Sequence, residues 1–410
     1  MRKYDLVVIG AGAAGMMAAI IAARRGKKVL ILEKLSQPGA KLKATGGGRC
    51  NLTNTLNKEE FISRFGKNAK FMTTALNNFD NEDLRDFFLQ LGVKTHSPDG
   101  YRVFPTTHDS QTVLNALIKE IKRLQIELKL SQKVQALLIK NDKFLCVKTK
   151  KDTFYTQNAI IATGGLGYST LGAEGDGYEL AKKLGHTITK LYPAMVKLKT
   201  KEMWTRNCRA DTISKATIKI DLPKKRRVTA TGDLIFTKNG IAGPVILDFS
   251  KEITPLFEKY DEIPLLLNMT QGMNEDQIHS YLRKGFIKNP QNSVSRLLSS
   301  LLPKSVATNL CRLCEIEPSE KLNKIDGKNR DSLIKILAKT PITVIDHEGF
   351  EKAMITRGGI SLKEIDPKTM RSKLVKGLYF CGEIVDLDGP CGGYNLQWSF
   401  TSGFLAGKSV

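Results

Sequence analysis

"YDLVVIGAGAAGMMAAIIAARRGKKVLILEK", residues 4–34, decides the fold. The run from Leu6 to Ile9 is apolar and branched, the composition of a strand buried on both faces. Gly10, Gly12 and Gly15 follow at G-x-G-x-x-G spacing and lead into a helix of small residues. In such a turn the first glycine reverses the chain tightly, the second admits a pyrophosphate, and the third lets helix and strand pack closely. The helix start adds free N–H groups and the positive end of a dipole. A second strand, "KKVLILEK", ends in Glu33, 18 residues beyond Gly15. A carboxylate at that place accepts hydrogen bonds from an adenosine ribose. Strand, glycines, helix, strand and terminal acid in this order predict a dinucleotide-binding α/β domain rather than a glycine turn without ligand.

The same stretch carries a decoy. A basic start followed by apolar and small residues is also how a secretory signal begins. Asp5 just before the apolar run, glycines within it and a second strand after it speak against that reading. No other segment approaches the roughly 20 apolar residues of a spanning helix, so a soluble cytoplasmic protein without membrane association is expected. The 7 cysteines have no framework spacing, which favours a reducing compartment. Cys311 and Cys314 form a C-x-x-C without a second pair at zinc-finger spacing, and the 5 histidines show no metal-ligand pattern, so no metal is expected.

Three further glycine segments need placing. "TGGGRCNLTN" runs Gly46, Gly47 and Gly48 into Arg49, Cys50 and Asn51, and on composition alone it is a linker, a phosphate cradle or a ligand lining. "NAIIATGGLGYSTLGAEGDGYELAKKLGH" reads as a buried strand over 159–162, a glycine turn with Gly164 and Gly165, and a helix ending near Gly185. "SKLVKGLYFCGEIVD" reads as a strand closing on Gly382 and Glu383, followed by the glycine turn and helix of "GPCGGYNLQWSFTSGFLAG".

Taken together, GAGAAG, TGGGRCNLTN, ATGGLG, "TGDLIFTKNGIAGPVILDFS", "TRGGISLKEIDPKTMRSKLVKGLYFCGEIVD" and GGYNLQW resemble the HI0933-like FAD-dependent oxidoreductases, over residues 10 to 403. The resemblance implies a Rossmann-like two-dinucleotide-fold FAD domain, of class α/β, with an inserted small β-rich, barrel-like domain and a helical part. It makes Gly46, Gly47 and Gly48 a cofactor lining, where missing side chains let backbone N–H groups meet the flavin. It implies that Glu383, where many relatives carry Asp, bonds the ribityl chain. It extends the cofactor contacts to Ala13, Ala14, Lys34, Lys41, Arg49, Asn51, Val134, Thr163, Gly164, Gly165, Gly382, Gly392, Gly393, Tyr394, Asn395 and Leu396.

Because flavin contacts fall at both ends, residues 1–190 and 345–410 are expected to form one FAD domain. Residues 191–270 are expected as the β-rich insertion, since alternating apolar residues are broken there by Leu-Pro and Asn-Gly turn signals. Residues 271–344 are expected as short helices with periodic Leu and Ile.

The family resemblance implies several activities: ribosomal RNA dihydrouridine synthases, an aminoacetone oxidase and reductases of steroid-like enones. The formal charge of +23 favours the first. Residues 191–230 hold 11 basic and 3 acidic residues, including the run Lys224, Lys225, Arg226 and Arg227, which is either a solvated turn or a phosphate-binding patch. Lysines outnumber arginines 46 to 18, as an AT-rich genome alone would also produce. The expectation is therefore an enzyme that uses NAD(P)H as a transient reductant to saturate the C5–C6 bond of a uridine in large-subunit (23S) ribosomal RNA. A small-molecule flavin oxidase or enone reductase is the alternative, and a non-catalytic flavin-binding module is a further one. Cys50, beside the expected cofactor loop, is packing or the proton donor to substrate; the donor role is the candidate carried forward.

Overall fold

The computed structural model describes residues 3–140 and 143–410. Met1 and Arg2, part of the basic start that mimics a signal, lie outside the described residues. The chain forms two compact units, Met1–Tyr192 with Met354–Val410, and Pro193–Ala353.

The first unit is built on a five-stranded sheet of β1 (Leu6–Ile9), β2 (Val29–Leu32), β3 (Glu127–Lys129), β4 (Ala159–Ile161) and β5 (Leu378–Phe380). Its order is β5-β4-β1-β2-β3, and every pair is parallel. All residues of β1, β2, β4 and β5 are buried, as a sheet covered on both faces requires. Parallel pairing aligns the carboxyl ends of the strands along one edge. The chain therefore delivers Gly10, Glu33, Thr163 and Gly382 to that edge, from positions up to 372 residues apart. Open α/β sheets bind ligands at such an edge, where the strand order reverses.

Two helices cross near it. α1 (Ala13–Arg24) follows β1, and α2 (Tyr394–Ser409) ends the chain. They pack backbone to backbone: a Cβ on Gly403 would lie 2.4 Å from the Ala14 carbonyl oxygen, and one on Gly407 2.3 Å from that of Ala18. A small antiparallel sheet joins Thr53–Asn54, Arg102–Pro105 and Thr95–His96. Its strand Thr53–Asn54 follows shortly after the Gly46–Gly48 loop in the chain.

The second unit has its own apolar core. Six antiparallel strands close into a barrel in the order Leu198–Thr200, Gly240–Ala242, Thr229–Thr237, Thr212–Ile220, Ile263–Asn268, Thr340–His347. Ile263–Asn268 alternates buried and half-buried residues along its length, the period-2 pattern of a strand with one face inward. Helices Glu275–Lys288, Val294–Leu298, Lys304–Leu313 and Gly327–Ala338 complete the unit. Cys311 and Cys314 lie in this core as packing residues. The fold is thus the expected Rossmann-like α/β domain with a closed barrel and a helical part. No helix among the described residues is long and apolar enough to cross a membrane.

Candidate cofactor and active site

The three glycines of the first turn have the steric surroundings that their spacing predicts. A Cβ on Gly10 would lie 2.7 Å from the Ala162 carbonyl oxygen, and one on Gly15 2.0 Å from the Gly10 carbonyl oxygen. A Cβ on Gly12 would meet nothing within 4 Å. Gly12 also caps α1 without a side-chain hydrogen bond, and the first turn of α1 holds no acidic residue. The turn is therefore closed by protein at its two ends and open at its middle, beside a helix start whose N–H groups take no side-chain cap. That is the shape and polarity of a pyrophosphate seat.

Glu33 is buried, and each carboxylate oxygen accepts one backbone hydrogen bond, from the Ala11 N–H at 2.7 Å and the Leu35 N–H at 2.9 Å. The carboxylate is thus fixed between the first turn and the chain after β2. Its remaining lone pairs can accept ribose hydroxyls. The residues present fit FAD at this end: an open glycine at a helix start, and a fixed acid at the end of the next strand. Val134 is buried and begins the strand that follows the Gln132 N–H bond to the Glu33 carbonyl.

Lys34 behaves differently from its expected role. Its ammonium contacts Asp176 at 2.5 Å and Glu174 at 2.9 Å, and Lys133 contacts the same two acids. Burial pushes the Asp176 carboxyl up, but the Lys133 and Lys34 hydrogen bonds outweigh it and hold the group below its ordinary value. The side chain of Lys34 is engaged within this ion network.

The second glycine segment is stapled by a residue that sequence reading did not single out. The buried Thr356 hydroxyl accepts from the Leu166 N–H at 2.7 Å and the Gly167 N–H at 3.1 Å. Its own N–H donates to Glu383 Oε1 at 2.8 Å, and Lys41 Nζ contacts Glu383 Oε2 at 2.5 Å. A Cβ on Gly165 would lie 2.4 Å from the Thr356 hydroxyl and 2.8 Å from Glu383 Oε1. Gly165, Thr356, Glu383 and Lys41 thus form one half-buried cluster from four separate chain segments. Thr163 and Gly164 are half-buried just before it. Thr356 stands in the quoted "TRGG", but nothing in a lone threonine before an arginine marks it as a staple.

The third segment meets the C-terminal turn. Gly46, Gly47 and Gly48 all have positive φ, at +59°, +65° and +88°, and Gly47 and Gly48 face open space. Arg49 is exposed, with its guanidinium 5.5 Å from the Phe104 ring centre and its Nε donating to the Gly46 carbonyl at 3.3 Å. Asn51, with its amide oriented to suit its neighbours, accepts from the Gly393 N–H at 3.1 Å and donates to the Thr53 carbonyl at 3.0 Å. Asn54 donates to the Gly392 carbonyl at 2.9 Å. These bonds tie the loop to the start of α2, where Tyr394 is buried and Leu396 half-buried. The Asn395 side chain is engaged elsewhere: its Oδ1 accepts from the Gly389 N–H at 2.8 Å and its Nδ2 donates back to the Gly389 carbonyl at 2.8 Å. It shapes the turn and has little left for a ligand.

Cys50 does not sit as a proton donor must. It is completely buried, at 0% exposure, so its thiol meets no substrate. Burial pushes the thiol up to about 12, against a smaller opposing effect of the Thr45 hydroxyl. The neighbouring Arg49 is exposed, with its guanidinium over the Phe104 ring.

In the second unit, Lys224, Lys225, Arg226 and Arg227 are all exposed, on the turn between strands Thr212–Ile220 and Thr229–Thr237. Arg226 lies 3.6 Å from Asp221. The other three have no acidic partner among the described residues.

Comparisons with known proteins bear on the family and the fold. The family model "HI0933-like protein Rossmann domain" matches residues 4–409. The chain is 31% identical over 405 residues to the 3-dehydro-bile acid delta(4,6)-reductase of Clostridium scindens, covering 98% of each protein. It is 27% identical over 410 residues to the ribosomal RNA dihydrouridine synthase of Escherichia coli, covering 100% of this chain and 98% of that one. Among solved structures, the 3-ketosteroid-delta4-(5alpha)-dehydrogenase of Rhodococcus jostii matches with a TM-score of 0.53 at 15% identity, over 99% of this chain and 96% of that one, a likeness of fold.

Proposed function

The chain belongs to the HI0933-like family of FAD-dependent oxidoreductases, and from that premise we propose that it is an NAD(P)H-using reductase that converts a uridine of large-subunit ribosomal RNA to dihydrouridine. FAD supplies the hydride when bound. The protein supplies the rest: Gly12 and α1 seat the pyrophosphate, Glu33 holds the ribose, and the Glu383–Lys41–Thr356 cluster holds the polar chain toward the ring. Both kinds of full-length relative bear names that denote saturation of a carbon–carbon double bond. In uracil and in an enone alike, a conjugated carbonyl polarises that bond so that one carbon takes hydride and the other a proton.

The exposed basic turn carries the RNA reading. Four adjacent cations on a hairpin tip, in a chain of net charge +23, suit a polyphosphate substrate. They are not needed for a small neutral one. The second reading, an enone reductase for a steroid-like acid, is favoured by the 31% identity to the bile acid enzyme.

The test is direct. Purified enzyme with NAD(P)H is offered unmodified large-subunit RNA and, separately, a 3-oxo-4-ene steroid. Mass spectrometry of the nucleosides should show dihydrouridine; turnover of the steroid alone would establish the second reading. In the RNA case, changing Lys224, Lys225, Arg226 and Arg227 to Ser should lower the log–log salt slope of binding by about 0.7–0.9 for each phosphate that is no longer neutralised. Flavin reduction by NAD(P)H should not change.

A further inference from the structure

Saturating a polarised double bond needs a proton donor, and the buried Cys50 cannot serve. We propose that Tyr101 is the catalytic acid, with Tyr394 as its hydrogen-bonded partner. The inference rests on the double-bond reduction proposed above.

Four observations in the first unit converge on Tyr101. Its hydroxyl lies 2.7 Å from that of Tyr394. Its ring lies against the C-terminal glycine turn: a Cβ on Gly392 would come within 3.1 Å of Tyr101 Cε1, and Gly392 has φ +113°. Its carbonyl accepts from the Thr55 N–H at 3.0 Å, which joins it to the strand leaving the Gly46–Gly48 loop. Tyr101 therefore stands where the loop of residues 46–51 and the turn before α2 meet, two segments that the family resemblance assigns to cofactor contact. Finally, it is half-buried, whereas Cys50 is sealed and Tyr394 is 2% exposed. Of these three groups Tyr101 presents the most surface to the outside.

The surroundings fix it there. Asp99 accepts from the Tyr101 N–H at 3.0 Å and the Arg102 N–H at 2.7 Å, and contacts Arg102 Nε at 2.6 Å. Tyr394 is held from behind by Phe61 and Phe65, with ring centres 4.7 and 5.9 Å away. Two pinned phenols in contact make a preorganised donor, because no reorganisation is needed when the proton leaves.

The step balances as follows. The β carbon of the conjugated bond gains hydride from the reduced cofactor, and the π pair moves toward the α carbon and its carbonyl. The Tyr101 O–H bond breaks and its proton forms the new C–H bond at the α carbon, which is C5 in uracil. The resulting phenolate is stabilised by the Tyr394 hydroxyl and regains a proton from water. The two electrons are replaced by a nicotinamide.

The experiment uses the FAD-loaded full chain as Tyr101→Phe, with Tyr394→Phe beside it. Each enzyme is pre-reduced without oxygen and mixed with the RNA or the steroid enone in a single turnover. Tyr101→Phe should saturate the bond about 10²–10⁴-fold more slowly, and Tyr394→Phe should show a smaller loss. In Tyr101→Phe the melting temperature, the rate of flavin reduction by NAD(P)H and the affinity of the oxidised enzyme for the saturated product should all stay at parental values. Parental single-turnover rates in Tyr101→Phe would overturn the assignment alone, as would a loss of product affinity that matches the loss of rate. A parental enzyme that saturates neither substrate overturns the function proposed above, and this assignment with it.

Discussion

The turn at residues 10–15 and the loop at 46–48 are both rich in glycine, and for different reasons. In the turn, Gly15 is enforced by the protein itself, since a Cβ there would collide with the Gly10 carbonyl. In the loop, Gly47 and Gly48 touch nothing, and only their positive φ demands glycine. Gly12 is a third case, with open space and an ordinary φ of −81°. No internal contact and no backbone angle explains Gly12, and its place in the dinucleotide turn at the start of α1 leaves that open space to a ligand. This distinction separates residues that make the fold from residues that make the site.

Substitution can break the comparison at its strongest point. Gly15→Ala places backbone against Cβ with no flexible side chain to yield, and should cost about 3 kcal/mol or more of stability. Gly12→Ala should leave the melting curve of the FAD-free protein within about 0.5 kcal/mol of the parent, while FAD affinity drops about tenfold or more, worth at least about 1.4 kcal/mol. Calorimetry of the apoprotein and FAD titration check the pair. Equal effects of both variants on both readouts would erase the distinction.

The far end of α1 supplies a ligand-free control. Buried Glu120 receives Arg123 at 2.6 Å and Arg24, in the last turn of α1, at 2.8 Å. Hydrogen bonds from Arg123, then Arg24, outweigh burial and hold Glu120 at about 2, below its ordinary 4.5. Because the folded-state value is depressed, the stabilisation is complete above about 4.5 and is lost as pH falls toward 2. After discounting for the exposed Arg123, the anchor contributes about 1–2 kcal/mol. Glu120→Gln should remove that amount at neutral pH and flatten the acid limb of the stability curve. FAD affinity should be indifferent to it.

The smallest effect is expected in the loop. Gly47→Ala meets no atom but must hold φ +65°, a strain of about 1–2 kcal/mol. Gly47→Asn should cost less, because asparagine tolerates that region. Thermal melts of the two FAD-free variants would rank them; equal melts would show that backbone strain is not what selects glycine there.

The same distinction explains what could be read in the sequence. The α/β core was legible because β1, the glycine spacing and Glu33 lie within 31 consecutive residues, each with a local physical reason. Strands and short helices in the insertion were legible from period and turn signals, but the barrel came only from the family resemblance, and its strand Thr340–His347 crosses the boundary expected at 344. The staple at Thr356 was not legible, since its partners are set by folding segments up to 190 residues away. The family resemblance placed Lys34 and Asn395 at the cofactor, and only the fold shows that their side chains also bond to Asp176 and Gly389. Cys50 was adjacent to the loop in sequence but faces inward, because its own φ of +59° turns the chain there. Tyr101 belongs to no glycine motif, and only the pairing of the strand after it with Thr53–Asn54 brings it to the site.

In the proposed function, an FAD held by Gly12 and Glu33 serves the reduction of uridine in ribosomal RNA. Dihydrouridine in the large-subunit RNA of a deletion strain, measured by mass spectrometry and compared with strains restored by the parental gene or by Glu33→Ala, tests it most directly. The account predicts that one dihydrouridine disappears on deletion, returns with the parental gene, and returns weakly or not at all with Glu33→Ala. An unchanged dihydrouridine content in the deletion strain would contradict it.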